Sequence, residues 1–173
     1  MADMLSLDLV DKGVVTNQIV LTVGYDKESL ADGHYTGEVV CDHYGRKIPK
    51  HAHGTQNLGR HTSSTKKIID ATMALFDRII DKTLLARRLN LTACNVIREE
   101  DIPDVESYEQ ISLFDMAEAA NADNNAEEKE RALQEAMLLI KHKYGKNAIL
   151  KGTNYTEGAT ARERNRSIGG HKA

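Results

Sequence analysis

QIVLTVGY (Gln18–Tyr25) is the stretch from which the rest of the chain can be ordered. Ile19, Leu21 and Val23 alternate with Val20, Thr22 and Gly24, the period of two that sets a buried side against an open one. Upstream, Met1, Met4, Leu5 and Leu9 fall on one helical face and Gly13 stands where a helix ends. Downstream, residues 33–50 read as a polar hairpin, with TGEVVC and RKIP as arms around DHYG. GTQNLGRH (54–61) reads as a glycine-interrupted strand. Ser63 or Ser64 then caps a helix with Ile68, Ile69, Thr72, Leu75, Phe76, Ile79 and Ile80 on its apolar side. RRLNLTACNVI (87–97) returns to strand, with Leu89, Leu91 and Ala93 alternating with Arg88, Asn90 and Thr92. Helix, strand, hairpin, strand, helix, strand implies an α+β fold with helices on one face of a mostly antiparallel sheet. The other face is left polar, with Thr22, Arg88, Asn90 and Thr92 on it.

The bulk numbers limit the possibilities. At 173 residues the chain has room for one domain and an appendage. No apolar run approaches the roughly 18 residues of a membrane span, and no signal pattern opens the chain. The two cysteines, Cys41 and Cys94, fit free thiols in a reducing cytoplasm. The sequons at Asn90 and Asn154 carry no meaning there. Charge is strongly segregated: residues 1–98 hold 13 Lys/Arg against 11 Asp/Glu, 99–130 hold 1 against 12, and 131–173 hold 9 against 3. A polyanion would meet the two ends and avoid the middle. The expected organisation is a domain over 1–98, an acidic linker over 99–126, and a helix with a basic tail over 127–173. That third helix runs from about Glu127 to Tyr144, with Leu133, Ala136, Met137, Ile140 and Tyr144 on one stripe and Gly145 ending it. The tail's Arg162, Arg164, Arg166, His171 and Lys172 could hold phosphates or form a solvated end.

NLGRHTSSTKKIIDATMALFDRI and LLARRLNLTACNVI resemble the C-terminal little finger of bacterial Y-family translesion DNA polymerases, the UmuC/DinB-like (ImpB/MucB/SamB) group. LDLVDKGVVTNQIVLTVGYD resembles that domain's first helix and second strand. The resemblance covers roughly residues 1–98. It implies a β-α-β-β-α-β order whose first strand is missing here, and a sheet that grips duplex DNA through its phosphates without reading sequence. The contacts it implies are Gln56, Asn57, Arg60, His61, Thr62, Ser63 and Ser64 around the third strand and helix start. Arg87, Arg88 and Asn90 on the last strand join them, with Arg46 and Lys47 in the hairpin. The palm and fingers, whose carboxylates hold Mg2+, have no counterpart in the chain, so it is expected to have no catalytic residues, no cofactor and no polymerase activity of its own. A chain that starts inside a helix is expected to be a fragment or a remnant. An open sheet edge would invite a dimer.

Gln110-Ile111-Ser112-Leu113-Phe114 resembles the peptide by which this family docks on the sliding clamp, usually Q-L-[S/D]-L-F. Leu113 and Phe114 would be apolar anchors and Gln110 would fix register. The same side chains could instead fold back on the domain. Two further readings compete. Cys41 and His43, with His51 and His53, could bind zinc, although zinc fingers favour wider ligand pairs and no metal ligand is assigned. No Ser/His/Asp or Cys/His arrangement supports a hydrolase. The alternative to a polymerase part is a free-standing nucleic-acid-binding or regulatory module derived from one.

Overall fold

The computed structural model describes residues 1–31, 33–102, 115–168 and 171–172, with side chains described through 102 and over 126–166. Two units divide the chain, one of Ala2–Pro103 and one made mainly of Asp104–Ala173.

The first unit is an α+β layer pair. Strand β1 (Val14–Tyr25) lies at the centre of a sheet in the order β4-β1-β5, with β4 (Ala52–Thr62) and β5 (Ala86–Cys94) both antiparallel to it. A short β6 (Ile97–Arg98) continues along β1 in the register that β5 sets, after a break at Asn95, whose φ is 51°. Helices α1 (Ala2–Asp11) and α2 (Thr65–Ile79) pack on one another and on the same side of the sheet. A separate hairpin of β2 (Val39–Cys41) and β3 (Lys47–Pro49) occupies the stretch between β1 and β4.

The alternation in β1 decides which side is which. Ile19, Leu21, Val23 and Tyr25 are buried and, with Leu75 of α2, form the core. Leu58, Ala71, Phe76, Ile79 and Leu91 pack around it. The tyrosine is placed there without an orphaned hydroxyl, because its oxygen accepts from the Asp81 N–H at 2.9 Å. Ser64 is the cap of α2, its side chain accepting from the Lys67 N–H, as the Ser63/Ser64 reading predicts. Gly54 is where α2 comes closest: a Cβ there would lie 2.8 Å from both Leu75 Cδ1 and Ile79 Cγ2.

The helical stripes differ from the sequence expectation. In α1 the buried residues are Ser6, Leu7, Leu9 and Val10, while Met1 is 47% exposed. This short helix packs against α2, β1 and β5 together, so both of its flanks are covered. Against α2, the Ser6 hydroxyl bonds the Thr65 hydroxyl at 2.8 Å in a buried position.

The second unit begins, among described residues, with α3 (Asp115–Tyr144). The helix starts inside the stretch read as linker, because residues 116–128 are dominated by Ala and Glu, strong helix formers whatever their charge. Its covered stripe holds Gln134 and Met137, whereas Leu133 and Tyr144 are exposed. The reason lies at the end of the helix. The Lys141 ammonium donates to the carbonyls of Lys146 (2.9 Å) and Ile149 (2.8 Å), folding the following segment onto that side. The tail forms short pieces only: a 3-10 turn (Gly152–Tyr155), α4 (Ala161–Arg164), and the two-residue strands β7 (Ser167–Ile168) and β8 (His171–Lys172). Asn147 and Asn165 tie them together, Asn165 Nδ2 donating to Asn147 Oδ1 at 2.8 Å and Asn147 Nδ2 to the Arg162 carbonyl at 3.2 Å.

Candidate nucleic-acid interface

The side of the sheet away from the helices is open and polar, and strand register lays it out in rows. Asn57, Gln18 and Cys94 form one row, Thr55, Val20 and Thr92 the next, and His53, Thr22 and Asn90 the third. Gly24 and Arg88 extend it towards the hairpin end. Side chains in neighbouring strands bond to each other: Gln18 Nε2 donates to Asn57 Oδ1 at 2.9 Å, and Thr22 Oγ1 lies 3.0 Å from His53 Nδ1. Within β5, Arg88 Nε donates to Asn90 Oδ1 at 3.3 Å. The result is a field of amide, hydroxyl and imidazole groups, with one guanidinium at its edge. Such groups suit phosphate and sugar oxygens, contacts that carry no base sequence information.

The expected contact residues separate into distinct places. Asn57, Arg88 and Asn90 stand on the open face. Gln56 is opposite Ile19, on the helix side, where its Oε1 accepts from Arg78 at 3.1 Å. Arg87 is the extra residue of a bulge between the Gly24–Arg88 and Tyr25–Ala86 pairs, and its guanidinium reaches Asp26 at 3.4 Å. Thr62 and Ser63 are each 8% exposed; the Thr62 hydroxyl accepts from the Ser64 N–H, and Ser64 is engaged as the helix cap.

Arg60 and His61 owe their position to a larger irregularity. β4 pairs with β1 at Asn57 and again at Thr62, so the intervening residues bulge outwards against the single Asn17. Gly59 turns this bulge with a φ of 80°, a region that L residues with a Cβ enter only at a cost. Arg60 is exposed there, at the rim of the open face.

At the other end of the unit the hairpin turn is built around Asp42. Its carboxylate accepts from the Tyr44 and Arg46 N–H groups, both at 2.9 Å, and pairs with the Arg46 guanidinium at 2.6 Å. The Arg46 side-chain hydrogen bond, followed by its backbone N–H, holds the Asp42 carboxyl below the usual carboxylate range. The charged form is thus favoured at neutral pH, and this clasp is lost only as pH falls through that lowered value. Arg46 also lies over the Tyr44 ring, 5.0 Å from its centroid, and Tyr44 is 78% exposed. Lys47 follows at the start of β3, exposed.

Sequence reasoning passed over Gln18, His53 and Thr55 on the open face. For Gln18 the signal was available, since counting back by twos from Thr22 gives Val20 and Gln18; Thr55 and His53 follow only once strand pairing has placed Asn57 on that face. The zinc arrangement is not assembled as a cluster. Among the described residues no group of three or more His, Cys, Asp or Glu side chains converges, and His53 is engaged with Thr22. Both cysteines are free thiols. Among the described residues no helix is long and apolar enough to cross a membrane. The clamp-like peptide, Gln110, Ile111, Ser112, Leu113 and Phe114, lies outside the described residues.

No known protein family and no solved structure matches the chain. It is similar to the "Putative UV-damage repair protein UvrX" of Bacillus subtilis (strain 168), with 31% identity over 160 residues. That alignment takes in 92% of this chain and 30% of the relative, so the chain spans under a third of the length of the protein it resembles.

Proposed function

We propose that the chain works in DNA repair as the non-catalytic, DNA-gripping part of an error-prone translesion DNA polymerase of the Y family, in SOS-type mutagenesis. The observation that carries this reading is the open sheet face, with Gln18, Thr22, His53, Asn57, Arg88 and Asn90 in register on one side. The relative named for repair of UV damage supports the setting. Duplex DNA would lie against this face and meet donors that address phosphates alike whatever the base sequence. A polymerase that copies damaged templates needs that indifference. Arg60 at the bulge and Arg88 at the edge supply the charge, and the hairpin's Arg46 and Lys47 add to it. Nucleotidyl transfer and its Mg2+ would belong to a palm domain of the parent enzyme.

The sliding clamp is the proposed second partner, docked through Gln110, Ile111, Ser112, Leu113 and Phe114. Tethering of that kind raises the local concentration of a weak DNA binder to about the millimolar range.

Binding to a labelled duplex tests the DNA reading. Affinity should be weak, equal for unrelated sequences, and should fall with salt with a log–log slope of about −3, the value for three to four neutralised phosphates. Arg88→Glu should lower affinity about tenfold and flatten that slope by roughly one, with an unchanged circular dichroism spectrum. Salt-insensitive binding, or strong preference for one sequence, would overturn the proposal.

A further inference from the structure

The end of α3 and the tail behind it are fastened into one small body. Lys141 holds the carbonyls of Lys146 and Ile149, and Asn147 and Asn165 bind that loop to α4. Arg162 of α4 lies over the ring of Tyr155, 5.1 Å from its centroid, which joins the 3-10 turn to the same body. At the end of α3 the Lys143 ammonium lies over the Tyr144 ring at 5.2 Å. Both rings are open to solvent, Tyr144 at 68% and Tyr155 at 64%, whereas Tyr25 in the core of the first unit is 4% exposed. Around them, residues 141–166 hold seven Lys/Arg against two Glu and no Asp. Lys143, Lys146, Lys151, Arg162, Arg164 and Arg166 are all exposed.

We propose that this C-terminal unit binds single-stranded DNA, its bases stacking on Tyr144 and Tyr155 and its phosphates meeting the exposed lysines and arginines around them. Exposed aromatic rings in a cationic field suit that ligand, because every unpaired base has a π-face and every nucleotide a phosphate. A cation lies over one face of each tyrosine, and the exposure of the ring leaves the other face to a base. The cations over the rings add to the stack rather than compete with it. Duplex DNA would satisfy the charge but not the rings, since its bases are already stacked on one another. An acidic protein would likewise leave the rings unused. The inference rests on this unit's own residues and does not depend on the sheet-face reading.

The test is fluorescence anisotropy of the full chain with a labelled oligothymidylate of about 16 nucleotides, beside a duplex of the same length. Tyr144→Ala combined with Tyr155→Ala should weaken oligothymidylate binding by at least about tenfold, the effect of losing two stacked bases. Tyr144→Phe combined with Tyr155→Phe should retain it, since stacking needs the ring and not the hydroxyl. Duplex binding should be unchanged in both variants. Tyr155→Trp gives a second readout that decides if the alanine variant fails to fold. The natural chain has no tryptophan, so the emission of that variant reports on position 155 alone. Oligothymidylate should quench it and the duplex should not. Oligothymidylate binding that is absent at about 100 μM protein, the weak end of non-specific binding, overturns the proposal. So does a folded double-alanine variant that binds like the wild type, or an indole left unquenched by bound oligothymidylate. Equal losses on oligothymidylate and duplex overturn it as well, because the rings would then not be selecting unpaired bases.

Discussion

Alanine at both Leu113 and Phe114 is expected to reduce binding to the cognate sliding clamp by at least a hundredfold, leaving duplex binding and Tm unchanged. The magnitude follows from the chemistry of apolar anchors. Each buried aromatic or aliphatic anchor at a small interface typically costs about 2 kcal/mol or more on truncation, and two together exceed a factor of 100. Gln110→Ala should cost less, since an exposed amide exchanges water for protein partners at a net gain of about 1 kcal/mol. Calorimetric titration of the full chain against purified clamp reads all three variants. A double variant that binds as well as the wild type sinks the clamp proposal and leaves the DNA proposal standing. A double variant that loses Tm shows that the leucine and phenylalanine fold back on the protein instead.

The largest effect on stability should come from Leu75→Ala. Leu75 is fully buried and packs with Ile19, Leu21, Val23 and Tyr25, so truncation removes apolar contact from the centre of the core and leaves a cavity. Such changes cost about 3 kcal/mol, within a range of 2 to 5. For a unit of this size that lowers Tm by on the order of 15 °C. Leu89→Ala provides the comparison: the side chain is already 39% exposed, so its loss should cost less than half as much. Thermal unfolding of the two variants side by side checks the ordering. Equal shifts would mean that the core is not centred where β1 and α2 meet.

Most of the first unit was legible in the sequence because its elements are strongly periodic. Ile19, Leu21 and Val23 announce a strand covered on one side, and the isoleucines and leucine of α2 announce the helix that covers it. The hairpin was legible from its turn residues, Asp42 to Gly45. What the sequence hid was phase. Gly54 and Gly59 contribute no side chain to the pattern of β4, so nothing in the string says whether Gln56 or Asn57 faces the helices; pairing with Ile19 and Gln18 settles it. Arg87 and Arg88 look equivalent, yet a single bulge sends one to Asp26 and leaves the other on the open face. The stripe on α3 was misread for a different reason. Which side of an amphipathic helix is covered depends on what comes back to it, and here Lys141, a charged residue, gathers the returning chain.

The close approach at Gly54 also has an evolutionary consequence. A methyl group there would meet Leu75 Cδ1 and Ile79 Cγ2 at 2.8 Å, while the backbone around it has no special conformation. The obstacle is therefore two side-chain methyl groups and no backbone atom. In related chains, alanine at position 54 should be accompanied by alanine at 79, because valine would keep the Cγ2 methyl in the way, while Leu75 turns its Cδ1 aside. Introduced singly, each change costs stability; introduced together, they should restore much of it, a coupling that a double-mutant cycle reads directly.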